Sequence, residues 1–557
     1  MSNKLRNKDR GRGNGRGYQA KEQAGIIHID SGLLQRIIEY LLAAVLLVLC
    51  VVVPLYARDG YHQIGNAKFE AYRRIMLGGF GGLLILAVVY LIWRAAEHRA
   101  IDEQKLNLRL SATDLFVIAY LALTAVSVVS GGFYEDALWG AYGWNMGFLS
   151  QLGFVLLYLF LSRFGKYYRT VLGVLCLAAT VVFCVGILHR LMFDPIGFYD
   201  GLTNEQKAQF LSTLGQATWY ASFLIALLPV GMGVFLYAKQ RTWRILSGIY
   251  MVIGFGTLVT QNSDSAYFAL AGMLIVFFMV SCEKRELLCR FTAMLTVFFG
   301  IGKLMYFLMR MRPNPDLEPD LITEIVWTSG LTWGMLVLCL LLMLALYRTG
   351  GAGQSFGYPG TVISLVRTGV LGLAAVLLIT AVLVIYLQAH DRLPAGIADK
   401  VAAVGYLNWN GDWGNGRGRI WEFAGRVISQ ESLLHRIFGV GPDCFNSYVT
   451  AYHGEEAALF WGNKLLTNAH NEWLTILING GILGAAAYLG IFVSAVYRFM
   501  RGRNNNYILI GITAAVAAYM CYNFFCYQQV LCTPFVFILM GMGEYILRNQ
   551  SNIEKSR

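Results

Sequence analysis

The chain has 557 residues, of which 57% are hydrophobic and only 14% are charged, and its formal net charge is +12. Soluble globular proteins carry about 25% charged residues, so this composition excludes an ordinary soluble domain and predicts an all-α polytopic membrane protein. The ten cysteines show neither a pairing pattern nor metal-ligand spacing, so no disulfide framework, metal site or cofactor is predicted. The excess of base is usual for cytoplasmic loops and requires no nucleic-acid partner.

The first segment, residues 1–35, contains the basic stretch KLRNKDRGRGNGRG. Such a stretch resembles an RNA-binding Arg-Gly tract, but a cytoplasmic tail that meets anionic lipid of the bilayer explains it without nucleic acid. The first apolar run, near 37–56, is longer than the core of a secretory signal. It is therefore predicted to be a retained membrane anchor.

Fourteen apolar runs are long enough to cross a bilayer, which takes roughly 20 helical residues each. We therefore predict about 14 transmembrane helices, with about 12 as the lower bound. Helices 1–11 fall within 36–388 and helices 12–14 within 471–547, and a cytoplasmic tail follows at 548–557. The runs lie near 37–56, 76–94, 112–130, 146–163, 170–188, 217–237, 244–261, 264–281, 291–309, 327–347, 368–388, 471–496, 507–526 and 531–547.

Basic residues predict the orientation in the membrane. With the N-terminus in the cytoplasm, most Lys and Arg residues fall in cytoplasmic loops, and the short outer loops near 131–145, 262–263 and 527–530 carry none. The C-terminus is then also cytoplasmic. The first outer loop departs from this trend. Its basic residues are Arg58, Lys68, Arg73 and Arg74.

This orientation makes residues 389–470 one long extracytoplasmic loop. Long loops of mixed polar and aromatic composition usually carry function. Apolar residues within the loop recur at helical spacing and predict a short amphipathic helix that lies on the membrane surface. These residues are Ile420, Phe423, Ala424, Val427 and Ile428.

Two residues of this loop suggest chemistry. His470 ends the loop just before an apolar helix. Histidine is the usual general base near neutral pH, although an interfacial histidine satisfied by a neighbour fits the pattern as well. Arg419 begins the predicted surface helix, where it is either a membrane-interface side chain or a bidentate ligand for a diphosphate. Together they suit sugar transfer from a polyisoprenyl diphosphate at headgroup depth.

The segment RIWEFAGRVISQESLLHRIFGVGPDCFNSY, followed by NAHNEWLTILINGGILGAAAYLGIF, resembles the signature of the O-antigen ligase and O-antigen polymerase family. The likeness extends over residues 140–500 and rests on the order and spacing of several blocks. The matching positions are Arg419, Trp421, Gly439, Gly441, Pro442, His470, Asn471, Gly481 and Gly484.

The resemblance implies a GT-C-like integral membrane glycosyltransferase of the bacterial plasma membrane. Family members pass a glycan from undecaprenyl diphosphate to an acceptor hydroxyl on the outer face, with inversion and without a metal. The acceptor is a glycan, a lipid or a protein, and the sequence separates neither these nor a ligase from a polymerase. His470 and Arg419 are then the catalytic residues. Asn471, Glu472 and Trp421 are predicted to bind substrate, although Trp421 suits an interface anchor equally well.

One position departs from the family pattern. Where the family usually has Ser-Arg at the start of a helix, this chain reads QNSDSAYF, with Asp264 in place of the arginine. A carboxylate cannot bind a diphosphate directly, so another cation must replace the arginine or the donor site differs. Asp264 then holds such a cation, helps to position His470, or simply caps the helix. The candidate cations are Arg417, Arg190, Lys207 and Arg426.

A transporter or flippase of a lipid-linked glycan is the alternative function, since fourteen spans suit it. It predicts two pseudo-symmetric halves and charges inside the membrane. No halves are visible, and Lys303 is the one lone charge that fits. A non-catalytic scaffold predicts nothing about His470. The carboxylates of 313–324 are interpreted as a solvated loop, and Gly480 with Gly484 as a helix-packing pair.

Overall fold

A computed structural model describes residues 31–96, 109–311, 321–348, 360–402, 404–503 and 506–555. Within these ranges most residues are helical. Two short strands, Phe210–Leu211 (β1) and Gly215–Gln216 (β2), pair in antiparallel fashion with Phe210 opposite Gln216. The chain is therefore an all-α polytopic membrane protein. Most of the predicted tail 1–35 and of the acidic segment 313–324 lies outside the described residues.

The described residues up to Ser281 form eleven helices, with one π-helical turn at Met76–Phe80 between α2 and α3. The helices are α1 Ser31–Leu55, α2 Ile64–Ile75, α3 Gly81–Ala96, α4 Ala112–Gly131, α5 Tyr134–Trp139, α6 Phe148–Phe164, α7 Tyr168–Arg190, α8 Asn204–Gln209, α9 Ala217–Tyr237, α10 Arg241–Thr260 and α11 Ser265–Ser281.

The second half contains eleven more helices within the described ranges, and a 3-10 turn at Gly405–Leu407. They are α12 Arg285–Met311, α13 Leu321–Thr328, α14 Gly330–Arg348, α15 Gly360–Ala389, α16 Ala395–Ala402, α17 Trp413–Gln430, α18 Leu433–Phe438, α19 Phe445–Trp461, α20 Glu472–Arg501, α21 Tyr507–Tyr522 and α22 Thr533–Lys555. The predicted C-terminal tail at 548–557 thus begins as a continuation of α22.

Ten helices of the described part of the chain are long and apolar enough to cross a membrane. Each of the fourteen predicted apolar runs falls on a helix. Three of these helices, α6, α11 and α21, are apolar but have only 17, 17 and 16 residues. A fourth, α22, carries Glu544 and Arg548 within its apolar stretch.

The centre of the bundle is α9, whose residues are almost all buried. It packs most extensively against α21, which also packs along α11. Small residues permit this approach, because a Cβ at Gly233 would come within 2.9 Å of the Gly511 backbone. Helices α14 and α15 contrast with α9, since most of their apolar side chains face outward. Outward apolar side chains are expected where lipid is the solvent.

Lys68, one of the basic residues that broke the predicted charge trend, lies on α2 and is fully buried. Its ammonium group donates to the carbonyl oxygens of Val53 at 2.8 Å, Pro54 at 3.1 Å and Tyr56 at 2.8 Å. These carbonyls lie at the C-terminal end of α1, where no further turn of the helix supplies amide donors to them. Lys68 therefore fixes the end of α1. This structural role explains why a cation occurs in an outer loop, where the distribution of loop charges does not predict one.

The predicted loop 389–470 contains helices α16 to α19, and we call the end of the bundle that it covers the loop face. The predicted amphipathic helix is present as α17. Its apolar side chains do not rest on a membrane surface, because the protein covers them. Phe423, Ala424 and Val427 are fully buried in a cluster with Phe445 and Ala469. This packing anchors α17 beside the segment that holds His470.

Candidate functional site

His470 stands in a sharp turn between α19 and α20. Its backbone has a φ of 48°, in the left-handed region that is uncommon outside glycine. The His470 amide donates to the Asn468 side chain at 2.8 Å. The next residue, Asn471, is the N-cap of α20 and accepts from the Leu474 amide at 3.2 Å. The turn therefore separates the imidazole from the helix that follows.

Trp421 fixes this turn from α17. Its indole N–H donates to the Ala469 carbonyl at 3.1 Å, one residue before His470. The indole also lies against the rings of Trp413, at 5.3 Å, and Phe525, at 6.0 Å. The substrate-binding role predicted for Trp421 stays untested. The geometry shows a positioning role, because the side chain holds the segment that carries the imidazole.

The His470 imidazole is partly buried, and its ring lies 5.4 Å from the ring of Tyr527 in an edge-on arrangement. Neither ring nitrogen has a hydrogen-bond partner among the described residues. Burial, with a smaller contribution from the positive charge of Arg417, lowers the pKa of His470 to about 4. A neutral imidazole with a free lone pair at neutral pH is the form that accepts a proton.

Arg417 reaches this site because α17 begins with a left-handed stretch. Gly414, Asn415 and Gly416 have φ values of 59°, 62° and 87°. Glycine adopts this conformation without strain and asparagine tolerates it. The Arg417 guanidinium then donates to the carbonyls of Gly414 at 2.7 Å and Phe525 at 3.2 Å. Its buried Nε has no partner among the described residues, so this guanidinium keeps a donor for a ligand.

Asp264 stands at the N-cap position of α11, but its side chain does not cap the helix. The cap interpretation is therefore wrong. The carboxylate accepts from the Ile322 amide at 3.1 Å and from the Tyr406 hydroxyl. Burial raises its pKa, whereas the Tyr406 hydrogen bond and the charge of Arg417 act in the opposite direction. Asp264 is thus electrostatically coupled to Arg417, as expected if it helps to hold that cation.

The other predicted cations have partners or positions of their own. Arg419 is 41% exposed, and its guanidinium is 3.5 Å from the exposed carboxylate of Asp412. Arg190 is buried and donates to the carbonyls of Thr260 and Ala208. Lys207 sits on the short helix α8, and Arg426 pairs with Glu456 at 2.7 Å. Among the predicted cations, Arg417 is the one whose charge acts on the pKa of both His470 and Asp264.

The glycine turn of the family-like pattern packs against a break in α20. Gly481 has φ 64° and ψ −174°, and a Cβ there would lie 2.4 Å from the Ile437 carbonyl carbon. A Cβ at Gly439 would lie 2.2 Å from the Asn479 carbonyl oxygen. Gly484 has no atom within 4 Å of such a Cβ. The close approach therefore involves Gly439 and Gly481, and the predicted packing role of Gly480 with Gly484 is wrong.

Glu472, predicted to bind substrate, is buried, and its carboxylate accepts from the Gln528 amide at 2.7 Å. Three neighbouring polar residues were not predicted from the sequence: Asp443, Asn479 and Gln528. Asp443 follows the glycine turn directly, and this adjacency was the available signal. Asn479 sits within an apolar helix, where a buried amide usually has a packing or binding role. The contact that makes Gln528 a neighbour spans 56 residues and leaves no local pattern.

Among the described residues, no group of three or more His, Cys, Asp or Glu side chains is arranged to hold a metal ion. No protein-family model matches the chain, and no curated protein matches it. Function therefore has to be argued from the site itself.

Proposed function

We propose that the chain is an integral membrane glycosyltransferase that moves a glycan from a polyisoprenyl diphosphate, such as undecaprenyl diphosphate, to an acceptor hydroxyl. The reaction class is that of an O-antigen ligase or a polysaccharide polymerase. One observation carries the proposal: a neutral imidazole without a partner, His470, lies within the field of an arginine with a free donor, Arg417. This pair supplies a base and an anion-binding group at one place.

The proposal includes the setting of the site. The fold is GT-C-like with about 14 spans, and the enzyme lies in the bacterial plasma membrane with both termini in the cytoplasm. The loop face then lies on the outer side, at the depth of the donor's diphosphate. The partners are the lipid-linked glycan, the bilayer, and an acceptor that is a glycan, a lipid or a protein.

In the proposed mechanism the donor diphosphate meets the Arg417 guanidinium, and the acceptor hydroxyl meets the His470 imidazole. The acceptor oxygen attacks C1 of the donor sugar while His470 takes the hydroxyl proton. The bond from C1 to the diphosphate breaks with inversion, and polyisoprenyl diphosphate leaves. The leaving group is a weak base, so its departure requires a cation but no general acid. The His470 proton then passes to water.

The two residues also act on each other. The Arg417 charge helps to keep the pKa of His470 low in the free protein. A bound diphosphate would offset this charge, so the imidazole becomes a stronger base when the donor is in place. Asp264 lies within the electrostatic field of Arg417. In the proposal this cation takes the place of the arginine that the family-like pattern has at position 264.

The alternative function, transport of a lipid-linked glycan, predicted charges inside the membrane, and Lys303 was the one lone charge that fitted it. The Lys303 ammonium donates to the carbonyl oxygens of Trp327 at 2.7 Å and Ser329 at 3.0 Å. It also lies 5.1 Å from the centre of the Trp333 ring. Lys303 therefore caps the C-terminal end of α13, as Lys68 caps the end of α1. It gives no support to a charged pathway through the membrane.

The proposal is tested in membranes, with a radiolabelled lipid-diphosphate glycan and extracted native acceptor. His470→Ala should reduce transfer by about 10²- to 10⁴-fold, the usual contribution of a general base. Arg417→Ala should reduce it by about 10²-fold or more, because the leaving diphosphate loses its cation. The matched control is Arg419→Ala, for which we expect less than about tenfold, since an exposed arginine pairs weakly.

Expression is matched between variants, and release of polyisoprenyl diphosphate is measured beside product size, which separates a ligase from a polymerase. Chelation with EDTA should leave the rate unchanged. A larger loss with Arg419→Ala than with Arg417→Ala would return the catalytic role to Arg419. The proposal fails if the wild type moves the donor across the bilayer without releasing diphosphate, or if His470→Ala keeps full transfer.

A further inference from the structure

A small cavity lies beside His470 and is lined by side chains that the proposed mechanism does not use. Its volume is about 30 Å³, enough for two groups of the size of water. The walls come from α4, α6 and α20, the segment after the glycine turn, and the segment between α21 and α22. The lining residues that matter below are Trp144, Asp443, Glu472, Asn479, Tyr527 and Gln528.

Two carboxyl groups face this cavity, each held through one oxygen. Asp443 has a φ of 60°, and its Oδ2 accepts from the amides of Ala141 and Met146, both at 2.8 Å. Burial raises the pKa of Asp443 to about 7. Glu472 accepts from the Gln528 amide through Oε2. The second oxygen of each carboxyl group has no partner among the described residues, so both are open to a ligand.

Two amide side chains of the cavity each keep one polar atom without a partner, although the Gln528 Oε1 accepts from the Gln151 side chain at 2.6 Å. Asn479 and Gln528 are each only 5% exposed. The Asn479 Oδ1 acceptor and the Gln528 Nε2 donor make no hydrogen bond to the described residues. The Asn479 backbone is fixed, because its carbonyl accepts from the Gly441 amide at 2.9 Å. A buried polar group left without a partner destabilises the fold, so the pair indicates a missing ligand.

The unpartnered groups define the chemistry of that ligand. A metal ion would satisfy the oxygens of Asp443, Glu472 and Asn479, but it would leave the Gln528 donor unpaired. A hydroxyl group satisfies both kinds, because it donates one hydrogen bond and accepts others. The volume admits a hydroxyl or hydroxymethyl group but not a sugar ring, so the ring itself would stay outside the cavity.

Aromatic rings at the cavity complete the surroundings of such a sugar. The rings of Trp144 and Tyr527 are 4.7 Å apart and nearly perpendicular. Tyr527 is also the residue whose ring contacts the His470 imidazole. Binding sites commonly combine apolar aromatic walls with a few placed polar groups. A sugar whose hydroxyl enters the cavity would thus rest on aromatic rings next to the base.

We propose that this cavity is an acceptor subsite, which binds one hydroxyl or hydroxymethyl group of the acceptor sugar between Asn479, Gln528 and the two carboxyl groups. The inference rests on the proposed function and deepens it. The bound group lies next to the attacking hydroxyl and does not itself react. It orients the acceptor so that its neighbouring hydroxyl meets His470.

Acceptor kinetics test the subsite in membranes that contain the full chain. Asn479→Leu removes the acceptor atom and fills the space, and we expect the KM for the acceptor to rise about tenfold, which corresponds to roughly 1.4 kcal/mol. The KM for the donor should stay unchanged. Asn479→Ser keeps a shorter oxygen and adds no charge, so it should raise the acceptor KM less than the leucine variant does. Where the leucine variant does not fold, binding of the probe sugar by the wild type, described below, tests the subsite.

The matched control is Glu431→Gln. Glu431 is likewise 5% exposed, and both of its carboxylate oxygens lack partners among the described residues, but it does not line the cavity. Its acceptor KM should equal that of the wild type. If folded Asn479→Leu keeps the wild-type acceptor KM, the cavity holds water alone and the proposal is overturned. A rise in the donor KM instead of the acceptor KM overturns it as well.

A binding measurement separates this inference from the transferase proposal. Saturation-transfer NMR on the full chain in nanodiscs would use methyl β-D-glucopyranoside as the probe. Signal at the hydroxymethyl protons that Asn479→Leu abolishes and Glu431→Gln keeps supports the subsite, even if the wild type transfers no glycan. Equal signal in wild type and Asn479→Leu, or no signal in the wild type, overturns the subsite and leaves the transferase proposal standing.

Discussion

Two polar clusters of this protein differ in whether the hydrogen-bonding capacity of their central groups is filled. Asp114 on α4 is fully buried and accepts from the Ser111 amide at 2.7 Å, the Tyr158 hydroxyl at 2.9 Å and Arg163 at 2.9 Å. Arg548 on α22 also donates to it. In the cluster at the loop face, by contrast, several polar atoms have no partner among the described residues. They belong to His470, Arg417, Asn479 and Gln528.

The difference indicates what each cluster does. A buried carboxylate that accepts hydrogen bonds from several helices fixes their arrangement. The Asp114 carboxylate joins α4, α6 and α22, and so acts on the fold. Buried groups without partners cost stability, and a catalytic or binding role is one reason that they are retained. Substitutions should therefore affect folding in the Asp114 cluster and reaction in the His470 cluster.

The largest effect on folding is expected from Asp114→Ala. It leaves Arg163 and Arg548 buried without their carboxylate, and breaking a buried pair from one side costs about 3–5 kcal/mol. Unfolding of the purified protein by SDS in mixed micelles measures the loss. Transfer per folded molecule should stay close to that of the wild type, because Asp114 lies outside the proposed site.

The control for this variant is Glu70→Ala. Glu70 pairs with Arg73 and Arg74 on a more exposed surface, and such pairs contribute about 1 kcal/mol or less. A loss of stability for Asp114→Ala as small as that for Glu70→Ala would show that the cluster does not hold the helices. A loss of transfer in folded Asp114→Ala would remove the contrast between the two clusters.

A smaller effect is expected at the break in α20. Gly481→Ala forces a side chain into a backbone conformation that only glycine adopts readily, and strain of this kind costs about 1–3 kcal/mol. Because Gly481 follows Asn479 closely, transfer should also fall. The matched control is Gly484→Ala, where a Cβ has open space and helix propensity improves by up to about 1 kcal/mol. Equal stability of the two variants would contradict the role of the break.

Much of this architecture could be predicted from the sequence. Each predicted apolar run falls on a helix, because a lipid environment demands continuous hydrophobicity and internal hydrogen bonding of the backbone. The helix now called α17 was also predicted from its spacing. Its burial could not be predicted, because periodicity identifies an apolar face but not whether lipid or protein covers it.

The site shows a sharper limit. Arg417 and Arg419 are two residues apart, and on a helix this spacing turns their side chains by about 200°. The sequence pattern favoured Arg419, whereas the charge that lowers the pKa of His470 in the structure is that of Arg417. The direction of Arg417 depends on the left-handed stretch from Gly414 to Gly416 and on the Phe525 carbonyl. The first feature is visible in the glycines, but the second is a contact between distant segments.

The smallest effect, and the finest test of the loop-face cluster, is the pH dependence of transfer. His470 accepts a proton only when neutral, so kcat/KM should fall as pH decreases through the pKa of the free protein. That pKa is about 4 instead of the usual 6.5, so transfer should be nearly constant between pH 7 and 5.5.

Arg417→Gln removes the positive charge that helps to lower the pKa of His470, while burial, the larger cause, remains. The acid limb, the pH range in which kcat/KM falls, should therefore move to higher pH but stay below 6.5. The control Arg419→Gln should leave the limb in place. An acid limb near pH 6.5 in the wild type, or one that Arg417→Gln does not move, would show that His470 is not the base in this electrostatic environment.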